Sequence, residues 1–227
     1  MSVIVIGVGR SGTNMALEIL AFSKELRVSD ELITKKLFQR KKWPKNYLTK
    51  GPDTQDFEYS QLKKLMKNDK HMKIIWTIRD PRDIIISKMR RGMPNIQGGD
   101  SNRYIFDATP EGSTNNVFKM FELYKKLIKD FPNRVFLLKM EEVISNFEST
   151  IMKVCEFLKI KYNEQMKFFY KRMRNKKKRE RYNKIDKGEL AKWTNWQSIY
   201  NGFFIKEKIN LPQIFEKLEP IIDYFNY

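Results

Sequence analysis

Apolar residues along the chain fall into short unbroken runs and longer periodic stretches, and the two kinds alternate. Val3-Ile4-Val5-Ile6, Lys73 to Ile78 and Val135 to Leu138 are runs that fit strands buried on both faces. Between and after them the period is helical. From Thr13 onward Met15, Ile19 and Phe22 share one face, with Leu17 and Leu20 on its flank. Leu32, Ile33 and Leu37 do so between Glu31 and Phe38, behind a cap at Ser29 or Asp30. Leu62, Leu65 and Met66 mark a helix over Phe57–Lys67, and another runs from Arg82 to Arg91. The strongest pattern is Val117, Met120, Phe121, Tyr124, Leu127, Ile128 and Phe131, which predicts a helix over Ser113–Phe131. Further helices are expected over Phe147–Leu158, Asn163–Met173 and Leu211–Phe225. Ser23–Val28 reads as a short link containing one extended piece, Tyr47–Pro52 as another, and Gly92–Gly112 as a long loop. Apolar strands alternating with helices imply a central, mostly parallel sheet covered on both faces, a three-layer α/β fold. No repeat or composition break divides residues 1–227, so a single domain is expected.

Composition narrows the setting more than the function. The chain has 227 residues with 41% hydrophobic content and no run of 18 apolar residues, which is ordinary for one globular domain without a membrane span. The first strand begins at residue 2 with no basic-then-apolar leader, and Cys155 is the only cysteine. A reducing, cytoplasmic setting is therefore expected. Cys155 shares a helical face with Ile151, Val154 and Leu158, as a core thiol does. The 45 basic residues against 27 acidic ones give a formal charge of +18. That favours anionic partners of any kind, nucleic acid included, without choosing among them. The basic run Lys171–Lys184 reads first as a solvated face.

The chemistry is concentrated where the first strand ends. Gly7, Gly9 and Gly12 punctuate a loop that also carries Arg10, Ser11 and Thr13, and a helix follows. A strand, a glycine loop and a helix N-terminus aim backbone N–H groups at a phosphate, the arrangement of P-loop-like folds. The letters alone leave three readings open. The loop matches a dinucleotide fingerprint, with Glu31 19 residues after Gly12. It also matches the first six positions of a Walker loop, as in a nucleotide kinase, but has Thr13-Asn14 where the lysine and the Mg²⁺ hydroxyl belong. The third reading is a 5′-phosphosulfate loop, with Arg10 ahead of Ser-Gly-Thr. The second buried strand discriminates, because it ends in Arg79-Asp80-Pro81 and places Ser87 eight residues after Arg79 on the next helix. Such a pair grips a second phosphate, which a nucleotide bearing a 3′-phosphate would supply.

On these residues the chain resembles the sulfotransferases that use 3′-phosphoadenosine 5′-phosphosulfate (PAPS). Gly9, Arg10, Ser11, Gly12, Thr13 and Asn14 are similar to the 5′-phosphosulfate loop, and Arg79 with Ser87 to the 3′-phosphate motif. Phe136–Val143 is similar to the segment after the family's third core strand, with Met140 where a tyrosine is common. Lys187-Gly188-Glu189-Leu190-Ala191-Lys192-Trp193 is similar to the C-terminal nucleotide-binding stretch, where Lys184, Lys187 and Trp193 become nucleotide ligands. The only histidine, His71, lies at the wrong end of its strand for an acceptor base. Glu31 stands 21 residues after Arg10, as does the catalytic glutamate of tyrosylprotein sulfotransferases, and Lys50 fits that branch's leaving-group lysine. The resemblance thus implies sulfuryl transfer to a hydroxyl of a peptide tyrosine, a glycan or another acceptor, by in-line displacement and without a metal. Glu31 would be the base, with Asp30 as its competitor, and Arg10 and Lys50 would stabilise the developing charge.

Overall fold

The computed structural model describes residues 1–29, 38, 43–51, 58–96, 109–172 and 211–227. Five parallel strands form its sheet: β1 (Ser2–Gly7), β2 (Arg27–Val28), β3 (Tyr47–Lys50), β4 (Lys73–Ile78) and β5 (Val135–Lys139), in the order β2-β3-β1-β4-β5. β1 lies at the centre, with Val3 opposite Leu48 on one side and Lys73 on the other. Every residue of β1 is buried, as an all-parallel sheet with helices on both faces requires.

Strand alternation divides the core into two layers. Ile4, Ile6, Ile74, Trp76 and Ile78 face α2 (Tyr59–Asn68), α3 (Pro81–Ile96), α4 (Pro110–Asp130) and α7 (Leu211–Phe225). Val3, Val5, Ile75 and Leu138 face α1 (Thr13–Leu20), α5 (Met140–Ser145), α6 (Phe147–Leu158) and a stretch of 3₁₀ turns over Glu164–Arg172. The side chains of Val3, Ile4, Val5 and Ile6 are completely enclosed, each stabilising the fold by about 1.5–3 kcal/mol relative to an exposed position. Cys155 is packed into the second layer, where burial pushes its thiol up to about 11.

Several element boundaries differ from the sequence-based expectation. The four residues Tyr47–Lys50 are an inner strand beside β1 rather than a marginal extended piece. α3 runs on to Ile96, five residues into the stretch read as loop, because one glycine and one proline near a helix end lower its stability without ending it. α4 starts at Pro110 rather than Ser113: Thr109 is its N-cap, accepting a hydrogen bond from the Gly112 N–H at 3.0 Å, and proline occupies the first turn. α2 starts two residues later than expected, behind a capping box between Glu58 and Gln61. The helix expected over Asn163–Met173 is instead 3₁₀ turns broken at Phe168. The helix expected over Glu31–Phe38 and the basic run beyond Arg172 lie outside the described residues.

Candidate active site

Because all strands are parallel, Gly7, Lys50, Arg79 and Lys139 emerge at the same edge of the sheet. From β1 the chain moves outward to β2, then returns past β1 to β4 and β5. The crevice between the ends of β1 and β4 is therefore the topological switch point, where doubly wound sheets bind their ligands.

The loop after β1 has a backbone few sequences would tolerate. Arg10 has φ 76° and Gly12 has φ 97°, both in the left-handed region, and Gly12 is the N-cap of α1. No side chain caps α1 there, so its first N–H groups are presented to the crevice as an anion site would require. Two contacts fix the loop to β4. The hydroxyls of Ser11 and Thr77 are hydrogen-bonded at 2.8 Å, fully buried. Gly7 lies so close to β4 that a Cβ on it would overlap the hydroxyl and carbonyl oxygens of Thr77. From below, Met140 at the start of α5 packs against Gly12, with its sulfur 2.6 Å from where a Cβ would stand.

The two sequence motifs meet at this edge. Arg10 donates through Nε to the Ser87 Oγ at 3.0 Å, across 77 residues of sequence. Lys50, buried at the end of β3, donates through Nζ to the Asn14 Oδ1 at 2.9 Å. Arg79 is buried at the tip of β4 and forms an ion pair with Asp83 at 2.9 Å. Asp80 caps α3, its carboxylate accepting from the Arg82 N–H and also pairing with the Arg82 guanidinium at 2.7 Å. Asp83, in the first turn of α3, is buried and turned to Arg79. Burial raises the Asp83 carboxyl to about 7; the Arg79 guanidinium pulls it down, and the nearby carboxylates of Asp80 and Glu141 push it up.

Sequence reasoning missed three participants. Thr77, the one hydroxyl in an otherwise apolar strand tip, is the loop's anchor on β4. Asp83 holds Arg79. Glu141, at the start of α5, accepts from the Asp80 N–H at 2.9 Å and from the Tyr227 hydroxyl at 3.0 Å, which joins the tips of β4 and β5 to the end of α7. Burial is the main cause of a raised pKa for Glu141, and burial beside that carboxylate also raises Tyr227. The Thr77 signal was present in the sequence as a polar residue one position from a strand end. The other two needed the tertiary fold.

Glu31 and Asp30, and Lys184, Lys187 and Trp193, lie outside the described residues. His71 is exposed at the opposite edge of the sheet, with the whole six-residue length of β4, roughly 20 Å, between it and Arg79. A cavity of about 560 Å³ also opens at that far edge, lined by Lys70, Lys73 and Arg134 among others. None of the motif residues lines it, so the site is assigned by its chemistry and not by the size of a hollow.

Comparison with known proteins bears on the family and the fold. The family described as the sulfotransferase domain matches residues 1–211. No curated protein matches the chain at a significant level. Among solved structures, mouse sulfotransferase SULT7A1 complexed with PAP superposes with a TM-score of 0.53 at 17% identity, over 87% of this chain and 66% of that one. The chain thus spans just under two thirds of the mouse protein. The sulfotransferase domain of the Synechococcus PCC 7002 olefin synthase gives a TM-score of 0.56 at 13% identity, over 74% and 76% of the two chains. A sulfotransferase from Alicyclobacillus acidocaldarius gives 0.54 at 13% identity, over 84% and 94%. These structural likenesses speak for the fold, and the family match over nearly the whole sequence speaks for descent. The chain belongs to the sulfotransferase family.

Proposed function

We infer that this chain is a PAPS-dependent sulfotransferase acting as one domain, which moves a sulfuryl group to a hydroxyl of a peptide tyrosine or a glycan. The observation that carries the reading is the 3.0 Å hydrogen bond between Arg10 and Ser87. It joins two anion-binding motifs, as a nucleotide with a 5′-phosphosulfate and a 3′-phosphate requires. A Walker-type kinase needs a lysine after Gly12, where this chain has Thr13.

In this reading Gly9, Ser11, Gly12, Thr13, Asn14 and the first N–H groups of α1 hold the 5′ side. Arg79 and Ser87 hold the 3′-phosphate. Ser87 accepts from Arg10 with a lone pair, which leaves its own O–H proton to donate to a phosphate oxygen. Lys184, Lys187 and Trp193 complete the nucleotide site, with Trp193 against the adenine. Glu31 takes the proton of the acceptor hydroxyl as that oxygen bonds to sulfur. Lys50 and Arg10 meet the charge left on the 5′-phosphate oxygen as its bond to sulfur breaks. No metal takes part. A cytoplasmic setting belongs to the same reading, and among the described residues no helix is long and apolar enough to cross a membrane.

The test is transfer from labelled PAPS into tyrosine peptides, glycans and simple phenols. Saturating PAP at a hundredfold over its Kd should stabilise the protein by about 2.7 kcal/mol. Glu31→Gln should keep that stabilisation and lose roughly 10²–10⁴ in turnover. A melting shift with Mg·ATP and none with PAP would refute the reading; full turnover in the Glu31 variant would refute the base.

A further inference from the structure

The geometry points to Asn14 as the residue that positions Lys50, its side-chain amide coupling the lysine at the end of β3 to the phosphate loop. The inference rests on the role given above to Lys50 and adds a residue to it.

Lys50 closes β3 with its side chain almost wholly enclosed, at 7% exposure, and its Nζ is 2.9 Å from the Asn14 Oδ1. An ammonium has three donors and no acceptor, so an amide facing it must present oxygen. The orientation of the Asn14 amide is thus dictated by its partner. Both N–H donors of Nδ2 are then turned away from the cation, on an exposed residue in the first, uncapped turn of α1. That is where a 5′-phosphosulfate would lie. One side chain therefore grips a cation with one end and keeps two donors for an anion at the other.

The choice of residue has a physical logic. An aspartate here would bind the ammonium more strongly, but it would cancel the charge Lys50 brings and repel the incoming anion. A shorter hydroxyl would offer only one donor. An alanine would remove the 2.9 Å contact that ties the lysine to the loop. The neutral amide holds Lys50 without cancelling its charge.

The test is a double-mutant cycle on the full-length chain with Asn14→Ala, Lys50→Ala and the pair. Readouts are kcat and KM for labelled PAPS, and the Kd of PAP by calorimetric titration. Asn14→Ala is expected to lower kcat at least tenfold with little change in the KM for acceptor. In the Lys50→Ala background Asn14→Ala should slow turnover by much less than its single-variant factor, because part of its effect passes through the lysine. Asn14→Asp should weaken PAP binding at least tenfold, and more than Asn14→Ala does. Asn14 is exposed, so melting temperatures should stay near that of the parent and exclude misfolding as the cause. If Lys50→Ala is slow and Asn14→Ala slows it further by its full single-variant factor, the positioning role is wrong while the role of Lys50 stands. If Lys50→Ala turns over normally, both fall.

Discussion

A Cβ on Gly7 would overlap the Thr77 hydroxyl and carbonyl, and one on Gly12 would meet the Met140 sulfur at 2.6 Å in a left-handed conformation. The two glycines therefore fail differently when replaced. At Gly12 the backbone strain costs about 1–2 kcal/mol, while methionine is flexible enough to yield part of the space. Gly12→Ala should fold with a lowered melting temperature and lose the PAP-induced shift, as calorimetry would report. Gly7→Ala meets backbone, which cannot yield, and should fail to accumulate as folded protein. Thr77→Val tests the anchor alone: losing the hydroxyl bond to Ser11 should cost about 1 kcal/mol in urea unfolding and weaken PAP binding. Asp83 adds a pH signature. Its carboxyl titrates near 7 in the folded protein and near 3.8 when free, so the folded state holds the extra proton between those values. Its contribution to stability is then lost as pH rises from about 4 to 7. Asp83→Asn should flatten that part of the stability profile relative to the parent, measured by urea midpoints at a series of pH values.

At the scale of elements, legibility followed periodicity. β1, β4, β5 and the long helix α4 carry enough apolar residues to be read directly, and the strand–loop–helix pattern placed Arg10, Arg79 and Ser87 at one end of the sheet, where the structure has them. β3 could not be weighed correctly, because Thr49 and Lys50 look like surface residues and are buried. Lys50 is enclosed with its ammonium 2.9 Å from the Asn14 amide oxygen, so a charged residue disguises an inner strand. The contacts of Arg134 were equally invisible. From the short turn before β5 its guanidinium donates to the carbonyls of Met66, Asp69 and Met72, at 2.8, 2.6 and 2.9 Å, tying the end of α2 to the start of β4. Nothing in the local sequence marks this arginine among so many basic residues. Arg134→Ala should destabilise the fold by roughly 2–4 kcal/mol, since three carbonyls lose a charged donor at once. Arg134→Lys should recover only part of that, because an ammonium cannot reproduce the planar fork. Urea unfolding of both variants checks the order.

For the whole molecule, the formal charge of +18 acts on any anion that approaches, whichever residues finally bind it. PAP affinity should fall several-fold between about 50 and 300 mM salt as the field is screened, a trend titration calorimetry would follow. The position of β1 has a different consequence, in time. The strand that carries the phosphate loop leaves the ribosome before both of its neighbours, since β3 comes some 45 residues later and β4 some 70 residues later. At about 5–20 residues per second, β1 waits several seconds before its second neighbour exists. Until Thr77 and Ser87 have been made, the Ser11 hydroxyl lacks its anchor on β4 and Arg10 its contact with α3. The candidate site is begun at β1 and completed only when Ser87, 80 residues after Gly7, has been made, so nascent chains cut short before β4 should not be retained on immobilised PAP.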